Sequence, residues 1–509
     1  MRRLFLGVLA LALLAVSQSD AADKPNVIVI MADDLGYGDI SCYGATELST
    51  PNIDALAANG LRFTQGYCSA STCTPTRFSF LTGKYAFRQP GAGIAPPNAT
   101  ALIQPGTETI ASLLKGAGYK TAVIGKWHLG IGGGDAPDWN GELNPGPLEI
   151  GFDYCYLLPT TNDRVPSVYV ENHRVVNLDP ADPLWVGRQK PSPDHPTGED
   201  PEVRAKLKMD WSHGHNNTVH NGIGRIGFYT GGQKARWRDE DLADAWVEKS
   251  VKWIEDNKDD SFFLFFASHD LHVPRMPHER FQGKTKLGFR GDAIAQLDWC
   301  VGELTKTLDR LKLTENTLIV FCSDNGPVLD DGYQDGAITQ LGDHKPAGIY
   351  RGGKYSIYEG GTRTPFITTW PGKIKPGTSD QVVCTVDLPA SMAAMVGQPL
   401  PADACPDSFN VLPALLGQPD AKGRDHILQQ PNQGPTLALR VGDWKVLSYE
   451  SAKPHKKLTY EKGEGKYELY NLADDPSEKN NLAKDNPDKL QAMLAQLEEI
   501  KSNGRSRPE

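Results

Sequence analysis

The stretch Cys73-Thr-Pro-Thr-Arg-Phe-Ser-Phe-Leu-Thr-Gly83 gathers a sulfur, a cation and a helix start within a few positions. It reads as a loop turning into a helix, with Thr74 as N-cap, Pro75 at the first helical position and Gly83 as the stop. Cys73 then lies just ahead of a helix N-terminus, where free N–H groups and the macrodipole favour negative charge. Arg77 adds a permanent cation whose planar fork suits an oxyanion. A sulfur in that setting is a reactive thiolate or a group made from one. The bland alternative is a buried structural cysteine at a helix start.

A second group is acidic. Asp33 and Asp34 end one apolar run, and Asp324 and Asn325 follow another. Four oxygen donors without a histidine suit Ca²⁺ or Mg²⁺ rather than zinc. Either pair alone is a solvated turn; both placed directly after buried strands favour a metal site. Basic residues complete the set: Lys126, His128, His272 and Lys354. Fixed cations beside a divalent metal stabilise charge that builds on a departing oxygen where water is excluded.

The elements that must position these residues are legible as four apolar, β-branched or aromatic runs: 26–32, 121–125, 262–267 and 317–322. Such runs read as central strands of a parallel sheet covered on both faces. Each is followed by polar, ionisable groups, so all four deliver chemistry to one carboxyl edge, where open α/β sheets place ligands. Helical stretches at 110–118 and 239–257 alternate with them. Residues 159–237 are rich in Pro, Gly, Asn and His without periodicity, which predicts long loops over that edge. Thr161, Asp163, Arg164 and the run 213–220 are the polar concentrations there.

At 509 residues the chain is long for a single core. Residues 1–21 read as a signal peptide (Met-Arg-Arg, an apolar run too short for a bilayer, then Ser-Asp-Ala), which predicts an exported protein, periplasmic or secreted, without a membrane span. Residues 22–420 form the main unit. From 421 to 509 short half-buried strands and a helix striped by Leu490, Met493, Leu494, Leu497 and Ile500 predict a small α+β subdomain. The net charge of −10 offers no basic surplus to track phosphates, which argues against nucleic acid as partner. The eight cysteines form no C-x-x-C pair, so neither zinc-finger spacing nor a disulfide framework is indicated.

The succession D-D-L-G-Y-G-D from Asp33, C-T-P-T-R with L-T-G from Cys73, G-K-W-H-L-G from Gly125, H-D-L-H-V-P from His269, S-D-N-G-P from Ser323 and G-G-K-Y-S-I-Y-E-G-G from Gly352 resembles the type I sulfatases. The resemblance covers nearly the whole chain after residue 21. It implies an alkaline phosphatase-like α/β fold, a large mainly parallel sheet sandwiched by helices. It further implies that Cys73 is oxidised to formylglycine by a maturation enzyme, and that the hydrate attacks a sulfate ester. Asp33, Asp34, Asp324, Asn325 and the modified Cys73 would bind one Ca²⁺. Arg77 would steady the hydrate, while Lys126, His272 and Lys354 hold the sulfate. His272 or Lys354 would protonate the leaving alcohol, and His128 would take a proton as sulfate departs. Thr161 matches a sulfate-contacting position in some relatives.

Loop stretches such as T-T-N-D-R-V-P from Thr160 and H-N-G-I-G-R-I-G from His220 resemble secreted bacterial sulfatases acting on sulfated glycans, most of all those removing 4-O-sulfate from galactose or N-acetylgalactosamine. Asp163 and Arg164 could fix sugar hydroxyls bidentately, or could instead pair with each other and brace the loop. The competing functions are a phosphonate or phosphate monoester hydrolase of the same superfamily and a glycan-binding protein without catalysis.

Overall fold

The computed structural model describes residues 24–432, 434–449 and 466–508; the signal-peptide reading of residues 1–21 falls outside them. The strands of the large sheet are β1 (Asn26–Ala32), β2 (Leu61–Tyr67), β3 (Lys120–Lys126), β4 (Tyr154–Leu158), β5 (Val170–Glu171), β6 (Arg174–Val175), β7 (Phe262–Ala267), β8 (Thr317–Ser323), β9 (Phe366–Thr369) and β10 (Gly377–Cys384). They run in the order β10-β2-β9-β8-β1-β7-β3-β4-β5-β6. The four runs singled out in the sequence are the contiguous centre, β8-β1-β7-β3, and every pairing among them is parallel. Antiparallel pairings are confined to β9 with its two neighbours and to the short strands beyond β4.

Central burial explains the uninterrupted apolar runs. Val27, Val29 and Met31 of β1 face one cluster with Phe78, Phe80 and Leu388, whereas Ile28 and Ile30 face another with Trp246, Leu297 and Leu304. The first layer is therefore built from α2 (Cys73–Thr82), α3 (Ile110–Gly116) and α6 (Leu388–Met395). The second comes from α1 (Pro51–Ala58), α4 (Leu242–Asp256) and α5 (Gly288–Leu311). Period-two alternation in a strand sends successive side chains to opposite layers, so a strand between two helical layers has no polar face.

Two local readings are corrected. The cap of α2 is Thr72, extended at φ −149° and ψ 155°, so Cys73 is the first helical residue and Pro75 lies within the first turn. Proline is tolerated there because N–H groups of the first turn have no intrahelical acceptor. The Thr72 hydroxyl donates instead to the Pro431 carbonyl. The stretch 239–257 is not one continuous helix: a 3₁₀ turn at Asp239–Asp241 leads into α4.

The second sheet is antiparallel, β11 (His426–Gln429), β12 (Leu437–Val441), β13 (Trp444–Ser448) and β14 (Tyr467–Asn471) in sequential order, followed by α7 (Pro487–Ser502). Leu490, Met493, Leu497 and Ile500 of α7 share one cluster with Ile427, Leu439 and Val446, and with Tyr67, Tyr85 and Cys384 of the main unit. This small layer is thus fused to the large sheet by common apolar packing. No helix among the described residues is long and apolar enough to cross a membrane, and none of the described cysteines is in a disulfide.

Candidate active site

The carboxyl ends of β8, β1, β7 and β3 meet where α2 begins. Ligand-capable atoms of Asp33, Asp34, Cys73 and Asp324 all lie within 4.8 Å of one another, and all four residues are buried. Cys73 Sγ stands 3.7 Å from Asp33 Oδ1. Each carboxylate has its own cation. Arg77 Nε donates to Asp324 Oδ2 at 2.9 Å, Lys126 Nζ pairs with Asp33 Oδ2, and Lys354 Nζ donates to Asp34 Oδ2 at 2.9 Å.

Burial pushes the Asp33 carboxyl well up, and Asp324 and Asp34 push it further, against the opposing pull of Lys126 and Arg77. Three carboxylates held together at that cost suit a divalent cation that would offset their repulsion. Asn325 supports the same reading. Its amide nitrogen donates to Asp34 Oδ1 at 2.7 Å, while its buried Oδ1 has no partner. An orphaned carbonyl oxygen beside carboxylates is the donor chemistry of a hard, oxygen-loving ion, so the residues present fit calcium.

Burial also raises the Cys73 thiol, with Asp33 and Asp324 opposing its ionisation while Lys126 and Lys354 favour it. Of the sequence readings for Cys73, the free thiolate is the one this burial disfavours.

Above this cluster a narrow pocket is lined by Cys73, His128, His272, Lys354, Asp163 and Arg164. His128 Nε2 lies 3.0 Å from the Ala95 carbonyl, so that nitrogen carries the proton, and the buried Nδ1 has no partner. Burial, then Lys126, Arg164 and Arg77, hold this imidazole well below the usual histidine range, so its Nδ1 lone pair is free. His272 Nδ1 donates to the Val273 carbonyl at 2.8 Å, leaving Nε2 as its available nitrogen.

Asp163 and Arg164 pair with each other, as the bracing reading expects, and both also line the pocket. Arg164 Nη1 donates to Asp163 Oδ1 at 3.1 Å and to Thr161 Oγ1 at 3.0 Å. Burial opposes charge on Asp163, but Arg164 and His215 hold its carboxyl below the usual range. Thr161, Lys126 and Arg77 are buried and do not line the pocket; Thr161 reaches it only through Arg164.

Three polar lining residues escaped the sequence reading. His215 places Nε2 2.9 Å from Asp163 Oδ2, Asp331 accepts from Lys354 Nζ at 2.8 Å, and the Tyr355 hydroxyl donates to the Asp331 carboxylate at 3.0 Å. The polar run 213–220 held a signal for His215, but nothing separated it from its neighbours. Positive φ is a further mark of the site: Asp34, His128 and Tyr355 sit at 58°, 54° and 71°. Such conformations cost free energy in non-glycine residues and gather at functional sites. A larger surface cleft near Lys84, Glu108 and Asp403 contains none of the predicted site residues.

Comparison with known proteins adds the following. The family model "Sulfatase" matches residues 25–398, and the model "N-sulphoglucosamine sulphohydrolase, C-terminal" matches residues 351–503. A Bacteroides thetaiotaomicron protein named N-acetylgalactosamine-6-O-sulfatase is 51% identical over 483 residues, covering 94% of each chain. Human arylsulfatase A is 32% identical over 502 residues, covering 94% of this chain and 88% of its own. A solved structure from work on glycosaminoglycan metabolism by Bacteroides thetaiotaomicron superposes with a TM-score of 0.91 at 50% identity, covering 94% of this chain and all of that one.

Proposed function

The chain belongs to the sulfatase family, and we propose that it hydrolyses the 6-O-sulfate ester of N-acetylgalactosamine in a sulfated glycan. The observation that carries the reaction class is the cluster Asp33–Asp34–Cys73–Asp324 beneath a pocket walled by Lys354, His272 and His128. The sulfate position is taken from the relative that matches over 94% of both chains and is named for 6-O-sulfate. The 4-O reading rested on short loop stretches alone and gives way to it.

Cys73 matured to formylglycine would supply a hydrated aldehyde, one hydroxyl to attack sulfur and a second through which sulfate is later expelled. A calcium ion held by Asp33, Asp34, Asp324 and Asn325 would supply positive charge against the sulfate oxygens. The chain's own groups do the rest. Lys354 in the pocket wall, and Lys126 behind it on Asp33, add fixed positive charge among buried side chains. His128, with Nε2–H fixed on the Ala95 carbonyl, offers Nδ1 as the base that removes a proton from the group at position 73. Lys354, kept charged by Asp331 and Asp34, is the donor to the leaving oxygen; His272 would share that role only as an imidazolium, since its neutral ring keeps its proton on Nδ1. Arg77 holds Asp324 through Nε and Nη2 and adds a third cation close to Cys73. Asp163, Arg164 and His215 form a linked polar wall suited to sugar hydroxyls.

The test is mass spectrometry of the tryptic peptide Phe63–Arg77 from protein made beside a formylglycine-generating enzyme, followed by sulfate release from N-acetylgalactosamine 6-sulfate and 4-sulfate. We expect an aldehyde at position 73 and turnover of the 6-sulfate. Thiol retained in the presence of a converted control overturns the nucleophile, and preference for the 4-sulfate overturns the sugar assignment.

A further inference from the structure

Lysine is rarely buried, because removing its ammonium from water demands compensating charge. Lys445, the second residue of β13, is fully buried, as are the two carboxylates it joins. Its Nζ donates to Glu359 Oε1 at 3.0 Å and ion-pairs with Glu478 Oε1 at 3.0 Å. None of the three lines the pocket, yet all are tied to the segment that carries Lys354.

That segment is fastened at both ends to the cluster. At its start the Arg351 guanidinium donates to the Glu478 carbonyl at 2.8 Å. At its end the Glu359 backbone N–H donates to Glu478 Oε2 at 2.6 Å, and Glu359 Oε2 accepts the Tyr67 hydroxyl at 2.5 Å. The Gly360 N–H closes the loop on the Arg351 carbonyl at 2.7 Å. Between these ties, Lys354 N–H donates to Pro327 and Tyr355 N–H to Ser71, the latter in the approach to Cys73. The far side of the loop also abuts the metal-ligand strand end. Gly326 N–H donates to the Gly361 carbonyl at 2.9 Å, and a Cβ on Gly326 would collide with the Gly360 carbonyl. A shift of the 359–361 turn therefore moves both Lys354 and the residue following Asn325.

We propose that Lys445 is a positioning residue for Lys354: by holding Glu359 and Glu478 together it fixes the loop that delivers the Lys354 ammonium to Asp34 and Asp331. This gives the small C-terminal sheet a part in the reaction as well as in folding. It rests on the sulfatase reading for the role of Lys354, but its geometry can be tested without that reading. A cluster that served folding alone would be replaceable by apolar groups of similar shape with kinetics preserved.

The experiment is a double-mutant cycle on matured full-length enzyme, with aldehyde content at position 73 matched by mass. Lys445→Met is expected to lower kcat/KM by roughly 10- to 100-fold with Lys354 present, and by less than about 2-fold in the Lys354→Ala background, because groups acting through one another are not additive. Lys445→Arg should restore part of the loss. Equal losses in both backgrounds overturn the proposal. Should Lys445→Met not fold, the charge-balanced pair Lys445→Met with Glu478→Gln takes its place, and wild-type kcat/KM from that folded variant overturns it equally. A crystal structure of the variant decides the geometry whatever the substrate is. Lys354 Nζ displaced from Asp34 and Asp331 supports the proposal, and an unmoved Lys354 defeats it. A wild-type enzyme inactive on sulfate esters would instead count against the proposed reaction and leave this structural readout intact.

Discussion

Asp331 and Lys354 pair at 2.8 Å inside the pocket, and the same carboxylate accepts the Tyr355 hydroxyl. Lys354 thereby stands between Asp331 and Asp34, the latter also a candidate metal ligand. Burial works against charge on Asp331, yet Lys354 holds its carboxyl well below the usual range. If a metal engages Asp34, Asp331 becomes the main anchor of the lysine. Asp331→Asn keeps the shape and removes the charge, so the ammonium gains freedom and holds sulfate less well. The expected result is a kcat/KM lowered by about 10- to 100-fold, with inorganic sulfate a weaker product inhibitor. Unchanged kinetics and inhibition would refute the anchoring role.

Asp163 and Arg164 form an ion pair that also walls the pocket, and His215 extends it at 2.9 Å. If these groups read the sugar, Asp163→Ala and Arg164→Ala should each raise KM for the glycan about tenfold while sparing a small aryl sulfate. Matching losses on the two substrates would mean that the pair only braces the loop.

Two substitutions at the candidate metal cluster separate ligand loss from weakening of a buried ion pair. Asn325→Ala removes an oxygen donor whose Oδ1 has no protein partner. It should weaken Ca²⁺ binding, read by calorimetry, and, because the Asn325 amide also donates to Asp34 and to the Gly326 carbonyl, it should cost the metal-free protein about 1–3 kcal/mol. Asp324→Ala removes the carboxylate that holds Arg77, which is wholly buried. Breaking a buried pair costs up to about 3–5 kcal/mol, reduced here because Asp33 stays 3.6 Å from Arg77 and loses a repelling neighbour, so this variant should still be destabilised without metal. Chelation should lower the wild-type Tm and calcium restore it. A wild-type Tm indifferent to chelator, with Asn325→Ala binding Ca²⁺ as well as wild type, would exclude the assignment.

The part of the site legible in the sequence is the part fixed by the parallel sheet. Asp33, Lys126, His272 and Asp324 follow recognisable apolar runs, and parallel neighbours must end on one edge, so their meeting needs no knowledge of the loops. His215, Asp331 and Tyr355 lie in segments without periodicity, where the path depends on packing against distant chain. The start of α2 is not legible either: the Thr72 hydroxyl makes no cap bond and donates instead to the Pro431 carbonyl, hundreds of residues away in the chain. Lys445 shows the limit most plainly. Its strand was readable from alternation, but its partners Glu359 and Glu478 come from two other segments, and no local pattern joins them.

The loop wall carries its own pH signature through His220. The residue is 7% exposed, and its Nε2–H donates to the Trp237 carbonyl at 2.6 Å. Burial, followed by the nearby Arg225, depresses this histidine from 6.5 to about 4. Between those values the unfolded chain binds a proton that the folded chain refuses, so the unfolded state binds more protons and stability rises with pH across the window. Acidification from about 6.5 to 4 should therefore remove stability on the order of 3 kcal/mol from this one group, beginning as pH falls through the unfolded-state value, accumulating across the window and levelling near the folded one. His220→Gln retains a donor for the Trp237 carbonyl and cannot titrate. Denaturant unfolding of the two proteins at pH 7 and pH 4.5 measures the difference directly. The variant should lose less stability on acidification than wild type, by roughly 2–3 kcal/mol. Parallel losses in the two proteins would show that His220 is as easily protonated in the fold as outside it.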